Sequence, residues 1–268
     1  MSKQLRISII IPAYNEERYV GRCLESIAAQ KLQPYEVIVV DNNSTDGTVA
    51  AAQRYPFVRV MREKRQGRSF AQATGFDTAQ GDVVARIDAD AVLPPDWTER
   101  IARHFARPGA LETAWTSGPS FYNVRFSRRA SSAYSRLAFG FTRWLVGYLP
   151  LWGSSMALPR KLWQGVRGDV CMRPDLHEDL DLAIHLHRSG HDVTYDPDTK
   201  VGAELRPAYA GVSTLWEYLK LWPRTLRVHG IRTWPVCWPV NLMMFVGMPL
   251  FGIADRVARL FGRRPLEH

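Results

Sequence analysis

The chain has 268 residues, with 35 lysines and arginines against 26 aspartates and glutamates, a formal net charge of +9 at neutral pH. At about 150 residues per domain this is one large domain or two small ones, and 46% hydrophobic with 23% charged residues excludes a disordered, collagen-like or polytopic membrane chain. The basic charge comes without a zinc-finger, helix-turn-helix or RNA-recognition signature, which sets nucleic acid aside as a partner.

In chain order the first third alternates strand and helix. Before Ile7 there is no charged-then-apolar leader, which predicts cytosolic synthesis and folding. Ile7 to Ile11 is a short β-branched run ended by Pro12, a strand buried on both faces. Asn15 is placed to cap a helix over 16–30, on which Tyr19, Cys23 and Ile27 recur at helical spacing. Glu36 to Val40 is a second strand, and Ser44, Asp46 and Gly47 lead into a second helix through Tyr55. A strand at Val58 to Met61, a helix from Ser69 to about Thr78 and a strand from Asp82 to Ile87 continue the pattern. Repeated βαβ units predict a doubly wound, mainly parallel sheet flanked by helices, with ligands at the carboxyl ends of the strands. Those ends carry Pro12 to Glu16, Asp41 to Asn43 and Asp88 to Asp90, so three polar clusters should meet in one crevice.

Neither the glycine fingerprint of a dinucleotide fold nor that of a phosphate-loop NTPase is present. Asp88-Ala89-Asp90 offers two carboxylates two residues apart, suited to a hard divalent cation, although alone such a pair reads first as capped, solvent-facing aspartates. Further on, Asp175 or the Pro174 turn starts a helix with Leu180, Ile184 and His187 as its apolar face and Gly190 as its stop. Glu178 and Asp179 fall in its first turn, where the helix dipole favours ionised carboxylates. His177, His185, His187 and His191 crowd this segment, but spacings of two and four do not bring all of them to one face, so they are expected to be core or surface residues. Only His177, beside the acids, is retained as a candidate. Cys23, Cys171 and Cys237 are too few and too scattered for a disulfide framework or a zinc cluster, and buried free thiols in a reducing compartment are expected.

The charge is unevenly spread. From Thr113 to Gly168 there is no acidic residue and a net +8, and from Val201 to Arg264 the net is +6, which leaves −5 for the rest. Seven of the nine tryptophans, Trp144 to Trp238, lie in the basic part, and arginine and tryptophan interleaved with apolar runs suit an anionic membrane surface. Tyr134, Leu137, Phe141, Trp144, Leu145 and Tyr148 have the spacing of an interfacial helix, or equally of a core helix. From Pro235 to Ala254 about 20 mostly apolar residues have the length of a membrane span. Pro235, Pro239, Asn241 and Pro249 interrupt them and arginines flank both ends, which favours a re-entrant or surface-lying hairpin. Residues 266–268, Leu-Glu-His, look like a tag remnant.

Taken together, IIIPAYNEE from Ile9, VIVVDNNSTDGT from Val37, DADAVLPPDW from Asp88 and HEDLDL from His177 resemble the family 2 glycosyltransferases of GT-A fold, over about Arg6 to Asp196. The resemblance implies an inverting enzyme with a nucleotide-sugar donor, a UDP- or GDP-sugar, and a Mg2+ or Mn2+ ion. It implies that Pro12, Ala13, Tyr14 and Glu16 form the first nucleotide-contacting turn and that Asp41 reads the base edge. Gly67 and Arg68 would close over base and ribose, while Asp88, Ala89 and Asp90 would hold metal and diphosphate. Asp179 would be the general base, with Glu178 beside it, and Gly153, Ser154, Ser155 and His177 would lie on the acceptor side. One departure is Ala71-Gln72-Ala73, where the family usually has Ala-Arg-Asn.

A base implies a hydroxyl acceptor on a lipid or lipid-linked glycan; a polyprenyl phosphate, already ionised, needs none and stands second, and Val92 and Leu93 replace the polar ligand common in such enzymes. Trp222 to Arg227 lacks the Gln-x-x-Arg-Trp signature of processive members, so a single transfer is expected. A sugar nucleotidyltransferase would show a glycine-rich phosphate loop after the first strand, and a non-catalytic binding module would lack the Glu-Asp pair. The expected organisation is a catalytic domain over 1–200, with a nucleotide-sugar half (1–90) and an acceptor half (91–200), followed by a membrane-associating segment of amphipathic and hydrophobic helices over 201–265. The expected location is the cytoplasmic face of the cell membrane, peripheral or monotopic.

Overall fold

Alternating buried strands and amphipathic segments set the architecture of the computed structural model, which describes residues 5–124 and 127–261, without the side chains of 127–130 and 259–261. The suggested tag remnant, Arg125, Arg263 and Arg264 lie outside the described residues. The elements in order are β1 (Ile7–Ala13), α1 (Val20–Ala28), β2 (Glu36–Asp41), α2 (Thr48–Gln53), β3 (Val58–Arg62), α3 (Arg68–Thr78), β4 (Val83–Arg86), α4 (Trp97–Phe105), β5 (Ala114–Phe121), α5 (Ser127–Val146), β6 (Met156–Pro159), α6 (Arg160–Val166), α7 (Glu178–Arg188), β7 (Val193–Ala203), α8 (Val212–Val228) and α9 (Cys237–Phe261).

The strands form one sheet in the order β3-β2-β1-β4-β6-β5-β7. β3, β2, β1 and β4 run parallel, β6 is antiparallel to both β4 and β5, and β7 is parallel to β5. Alternation along β1 explains why it must be covered twice. Ile9 and Ile11 pack with Val20, Leu24, Ile27 and Trp97 on one face, and Ile10 packs with Phe76, Leu162, Trp163 and Leu182 on the other.

Three local expectations are corrected. Pro12 does not end β1; it pairs in register with Val40 of β2. Ile10 accepts from Ile87 at the last rung toward β4, so the missing N–H of Pro12 faces the side where that ladder has finished. Asn15 does not cap α1, which starts at Val20 with Tyr19 before it. Its backbone is left-handed, φ 55°, and its Oδ1 accepts from the Thr45 N–H at 2.8 Å, tying the first turn to the second. The segment expected as a hairpin is one helix, α9, with Pro249 inside it. Pro239 falls in its first turn, where a missing N–H costs nothing, and the Asn241 amide is anchored on the Leu219 carbonyl at 2.8 Å. At Gly252 a Cβ would overlap the Ala208 carbonyl, so glycine lets α9 press against the turn that follows β7.

The aromatic run on α5 is split. Leu145 is buried against Leu180, Ile184 and Leu226, while Leu137 and Trp144 are 64% and 71% exposed. On α9, Leu242, Met243, Val246, Leu250, Ile253 and Val257 are all exposed and share one stripe. This helix is long and apolar enough to cross a membrane, with only 17% of its most apolar stretch buried.

The link between β3 and α3 is organised by two buried side chains. The Asn42 amide donates to the carbonyls of Glu63 and Arg65, and its Oδ1 accepts from the Gly67 N–H. The Glu63 carboxylate accepts from the Arg65 guanidinium and N–H and from the Thr74 hydroxyl. The Arg65 bonds, with Thr74 helping against burial, hold its pKa down from 4.5 to about 2. A depressed carboxylate pKa stabilises the fold in full above the ordinary value and loses that contribution as pH falls through the lowered one. Glu63→Gln is therefore expected to cost about 1–3 kcal/mol at neutral pH, with the gap to wild type closing between pH 4.5 and about 2, as read from denaturant unfolding across that range.

Candidate active site

The carboxyl ends of β1, β2 and β4 open on one crevice, with the N-terminus of α7 on its far wall. Pro12 and Ala13 close β1, and Ala13 is buried. Tyr14 follows half-exposed. The Asp41 Oδ1 accepts from the Ser44 N–H at 3.0 Å, which holds the turn after β2. Gly67 and Arg68 stand at the start of α3, and Arg68 Nε reaches Glu178 at 3.6 Å.

The centre of the wall is Arg86, the last residue of β4, 1% exposed. Its NH1 donates to the Gln72 Oε1 at 2.6 Å and to the Asp179 Oδ1 at 2.5 Å. Its NH2 donates to the Asp88 Oδ1 at 2.9 Å and to the Glu178 Oε1 at 3.1 Å. One buried guanidinium thus gathers three carboxylates from two segments distant in sequence. A charge at this depth is tolerable only because it is paired and hydrogen-bonded. Burial raises the Asp179 pKa, with Glu178 and Asp88 adding to the shift and Arg86 opposing it. Glu178 goes the other way: burial opposes its charge, but Arg68 and Arg86 together hold it ionised. The two neighbours in one helical turn are therefore electrostatically unequal. α7 begins at Glu178 with His177 as its N-cap, later than the Asp175 start expected, so both acids occupy its first two positions.

A second charge cluster lies at the mouth. The Arg206 guanidinium donates to both Glu16 oxygens at 2.7 Å, and its Nε approaches Asp90 at 2.9 Å and Glu204 at 3.6 Å. Burial raises the Asp90 pKa, with Asp88 and Glu16 adding to it and Arg206 opposing. The Asp88 Oδ2 accepts from the Ser154 hydroxyl at 2.5 Å. Ala89 is 2% exposed and its methyl packs in the core with Ala91 and Leu93, so only its backbone borders the crevice. Val92 is paired with Gly202 through both backbone bonds, and Leu93 is buried, which leaves both as structural residues.

The Gly153–Ser155 turn is drawn differently from the expectation of an acceptor-facing loop. The Gly153 N–H donates to the Asp179 Oδ2 at 2.8 Å, and a Cβ there would meet that oxygen at 2.7 Å and the Arg86 guanidinium carbon at 2.8 Å. Its lack of a side chain serves the Arg86 cluster. Ser155 is fully buried, bonded to the Trp97 indole N–H and the Ser117 hydroxyl, and belongs to the core. Ser154 alone reaches the crevice, through Asp88. His177 is buried, its ring near Tyr218 and Trp222, and its backbone N–H donates to the Thr225 hydroxyl. Burial lowers its pKa to about 4, which keeps it neutral. His187, expected on the apolar face of α7, instead stacks on Tyr148 with its side chain half exposed.

Sequence reasoning missed Arg86, Gln72 and Arg206. A basic residue inside the apolar run DVVARID is the signal that marks Arg86, since such a residue in a strand buried on both faces demands buried anions. Gln72, noted only as a departure from Ala-Arg-Asn, is a ligand of that guanidinium. No pattern near Arg206 announces its partners, which lie up to 190 residues away.

The family model described as glycosyl transferase family 2 matches residues 8–154, and that described as glycosyl transferase family group 2 matches residues 83–258. The beta-monoglucosyldiacylglycerol synthase of Synechocystis sp. is 27% identical over 290 residues, which covers 97% of this chain and 58% of that protein. The undecaprenyl-phosphate 4-deoxy-4-formamido-L-arabinose transferase of Aeromonas hydrophila is 36% identical over 104 residues, 35% of this chain and 32% of that protein. Among solved structures, a mannosyltransferase from Pyrobaculum calidifontis in complex with GDP-Man and Mn2+ matches with a TM-score of 0.65 at 20% identity, over 98% of this chain and 78% of that one. That likeness shows the fold, the GT-A type expected. The chain spans between 17% and 58% of the length of the first curated relatives it matches.

Removing Arg86 leaves the buried acids uncompensated. Arg86→Met is expected to destabilise the protein by about 3–5 kcal/mol, and Arg86→Met with Asp179→Asn by less than the sum of the single changes, because each removes the partner of the other. Urea unfolding of the four proteins in this cycle measures both.

Proposed function

The chain belongs to glycosyl transferase family 2 and is a transferase, and from that premise we propose that it moves one sugar from a nucleotide-sugar donor to a hydroxyl of a lipid or lipid-linked glycan at the cytoplasmic face of a membrane. The observation that carries this reading is the Arg86 cluster, which holds Asp88 at the donor side and Glu178 with Asp179 at the opposite wall on one guanidinium.

In this reading Pro12, Ala13, Tyr14, Glu16 and Asp41 hold the nucleotide, and Gly67 with Arg68 covers it. Asp88 and Asp90, with Glu16 alongside, are an all-oxygen donor set of the kind that suits Mg2+ or Mn2+. The set also fits by charge, since Arg206 is shared among Glu16, Asp90 and Glu204, and burial, with Asp88 and Glu16 adding to it, raises the Asp90 pKa. When bound, such an ion stabilises the charge of the departing diphosphate. Asp179 takes the proton of the attacking hydroxyl: its raised pKa makes it a better proton acceptor than an ordinary carboxylate, and Arg86 with the Gly153 N–H fixes its two oxygens. Glu178, held ionised, keeps the electrostatic balance of the pair. The domain reading follows, with the catalytic body in residues 1–200 and the membrane-facing part in 201–265.

The exposed stripe of α9 and Trp144 on α5 support the membrane reading. A polyprenyl-phosphate acceptor stands second, supported by the named activity of the Aeromonas relative, and it would leave Asp179 without a proton to remove.

Asp179→Asn is expected to lower transfer about 10²–10⁴-fold with donor affinity nearly unchanged, in a transfer assay paired with calorimetric donor titration; lost donor binding with retained turnover would overturn the assignment. A panel of nucleotide sugars with and without Mn2+ should show cation-dependent donor hydrolysis that Asp90→Asn removes. In vesicle sedimentation, Leu250→Glu should reduce binding, and equal binding of wild type to neutral and anionic vesicles would count against the role of the basic charge.

A further inference from the structure

Further along α7 from the crevice, where the helix meets the end of α8, four side chains of metal-ligating type converge from three segments. Asp181 and His185 are one turn apart on α7, Cys171 lies in the loop before that helix, and His229 is the residue after α8. One ligand atom from each lies within 4.8 Å of all the others. The Cys171 Sγ is 4.0 Å from the His229 Nε2, the His229 Nε2 is 2.7 Å from the Asp181 Oδ1, and the His185 Nε2 is 3.7 Å from the same Asp181 oxygen. Tetrahedral zinc, with Zn–N near 2.0–2.1 Å and Zn–S near 2.3 Å, has ligand-to-ligand edges of about 3.3–3.8 Å. The His185–Asp181 edge at 3.7 Å already fits; the His229–Asp181 edge of 2.7 Å must open by about 0.6 Å against those edges, and the Cys171–His229 edge of 4.0 Å and any longer edge up to the 4.8 Å span must close by small side-chain rotations.

Two further observations point to a ligand. The His185 Nε2 is buried and has no hydrogen-bond partner, which is uncommon for a buried ring nitrogen. The Asp181 side chain is 1% exposed, facing imidazoles and a thiol instead of a lysine or arginine. A thiolate and a carboxylate with two neutral imidazoles carry −2, which one divalent cation neutralises inside the protein. Sulfur, nitrogen and oxygen in a four-coordinate set select zinc over the hard ions suited to Asp88 and Asp90.

We propose that Cys171, Asp181, His185 and His229 form a structural zinc site that staples α7 to the end of α8 behind the acid pair. All four positions are filled by protein, the closed arrangement of a structural centre. Binding releases the Cys171 thiol proton to solvent as the Zn–S bond forms and moves the His229 proton from Nε2 to Nδ1, so Arg188 keeps its bond to the His229 carbonyl at 2.7 Å and releases its 3.1 Å contact with the ring. The site fixes the rotation of α7 and hence the placement of Glu178 and Asp179, which lie three and two residues before Asp181. It does not depend on the identity of the donor or acceptor.

The test uses the full chain without an added histidine tag. Metal analysis after dialysis against a weak chelator should find one zinc per chain, retained in Asp88→Asn and lost in Cys171→Ser and His229→Gln. Co2+ added to the zinc-free protein should give thiolate-to-cobalt charge transfer and intense tetrahedral bands, with the thiolate band missing in Cys171→Ser. Zinc should raise the thermal midpoint of wild type and not of Cys171→Ser, while circular dichroism reports whether each variant is folded. No retained zinc together with a cobalt spectrum identical in wild type and Cys171→Ser would overturn the proposal, and the wild-type cobalt spectrum decides it even if both variants fail to fold.

Discussion

A single buried guanidinium constrains the whole crevice. Arg86 closes a strand in the middle of the sheet with apolar neighbours on both faces, and in that setting its charge must be met by anions drawn to it. Asp88 comes from the same strand end, Gln72 from α3, and Glu178 with Asp179 from α7. Because those bonds are short, directed and removed from water, they fix positions as well as charge. Gly153 completes the arrangement, since any side chain there would press into the Arg86–Asp179 pair. The pairing also separates two adjacent acids electrically: against the burial both share, Arg68 and Arg86 hold Glu178 ionised, while burial with Glu178 and Asp88 beside it raises the Asp179 pKa.

α7 is accordingly a helix with two polar duties and an apolar body. Leu180, Leu182, Ala183, Ile184 and Leu186 are buried in the core clusters; the first turn faces the crevice, and Asp181 with His185 faces α8. Polar contacts at two points along a packed helix restrict its rotation, so the Cys171–His229 cluster and the Arg86 cluster act on the same degree of freedom. The C-terminal helices reach the crevice by a second route. Gly252 lets α9 sit on the turn that carries Arg206, whose guanidinium holds Glu16 and Asp90. The exposed apolar stripe of α9 is thus one packed contact away from the mouth of the site.

The order of strands and helices was legible because it depends on local physics. β-branched runs, turn residues and helical spacing identified each of the first four strands to within about two residues. Errors fell where a distant partner overrode a local preference. Asn15 has the chemistry of a cap, but its carboxamide is used by Thr45; Pro12 looks like a strand end, but the neighbouring ladder has already finished there. The prolines near the start of α9 suggested a hairpin, yet they fall where a helix needs no donor. Ser155 has the small polar character of a ligand loop and instead satisfies the Trp97 indole in the core.

By itself the sequence determined the parallel α/β frame, the three polar strand ends, the acid pair at a helix start, and the division into an acidic part and a basic, tryptophan-rich part. These are consequences of periodicity and composition, which act over a few residues at a time. Only the tertiary structure decided which charges meet. Arg86 with Asp179, Arg206 with Glu16, and Cys171 with His229 are separated by 93, 190 and 58 residues, and no local rule links them. Burial decides those pairings, because a charge in low dielectric has no water to fall back on and must be matched by whatever the fold brings beside it.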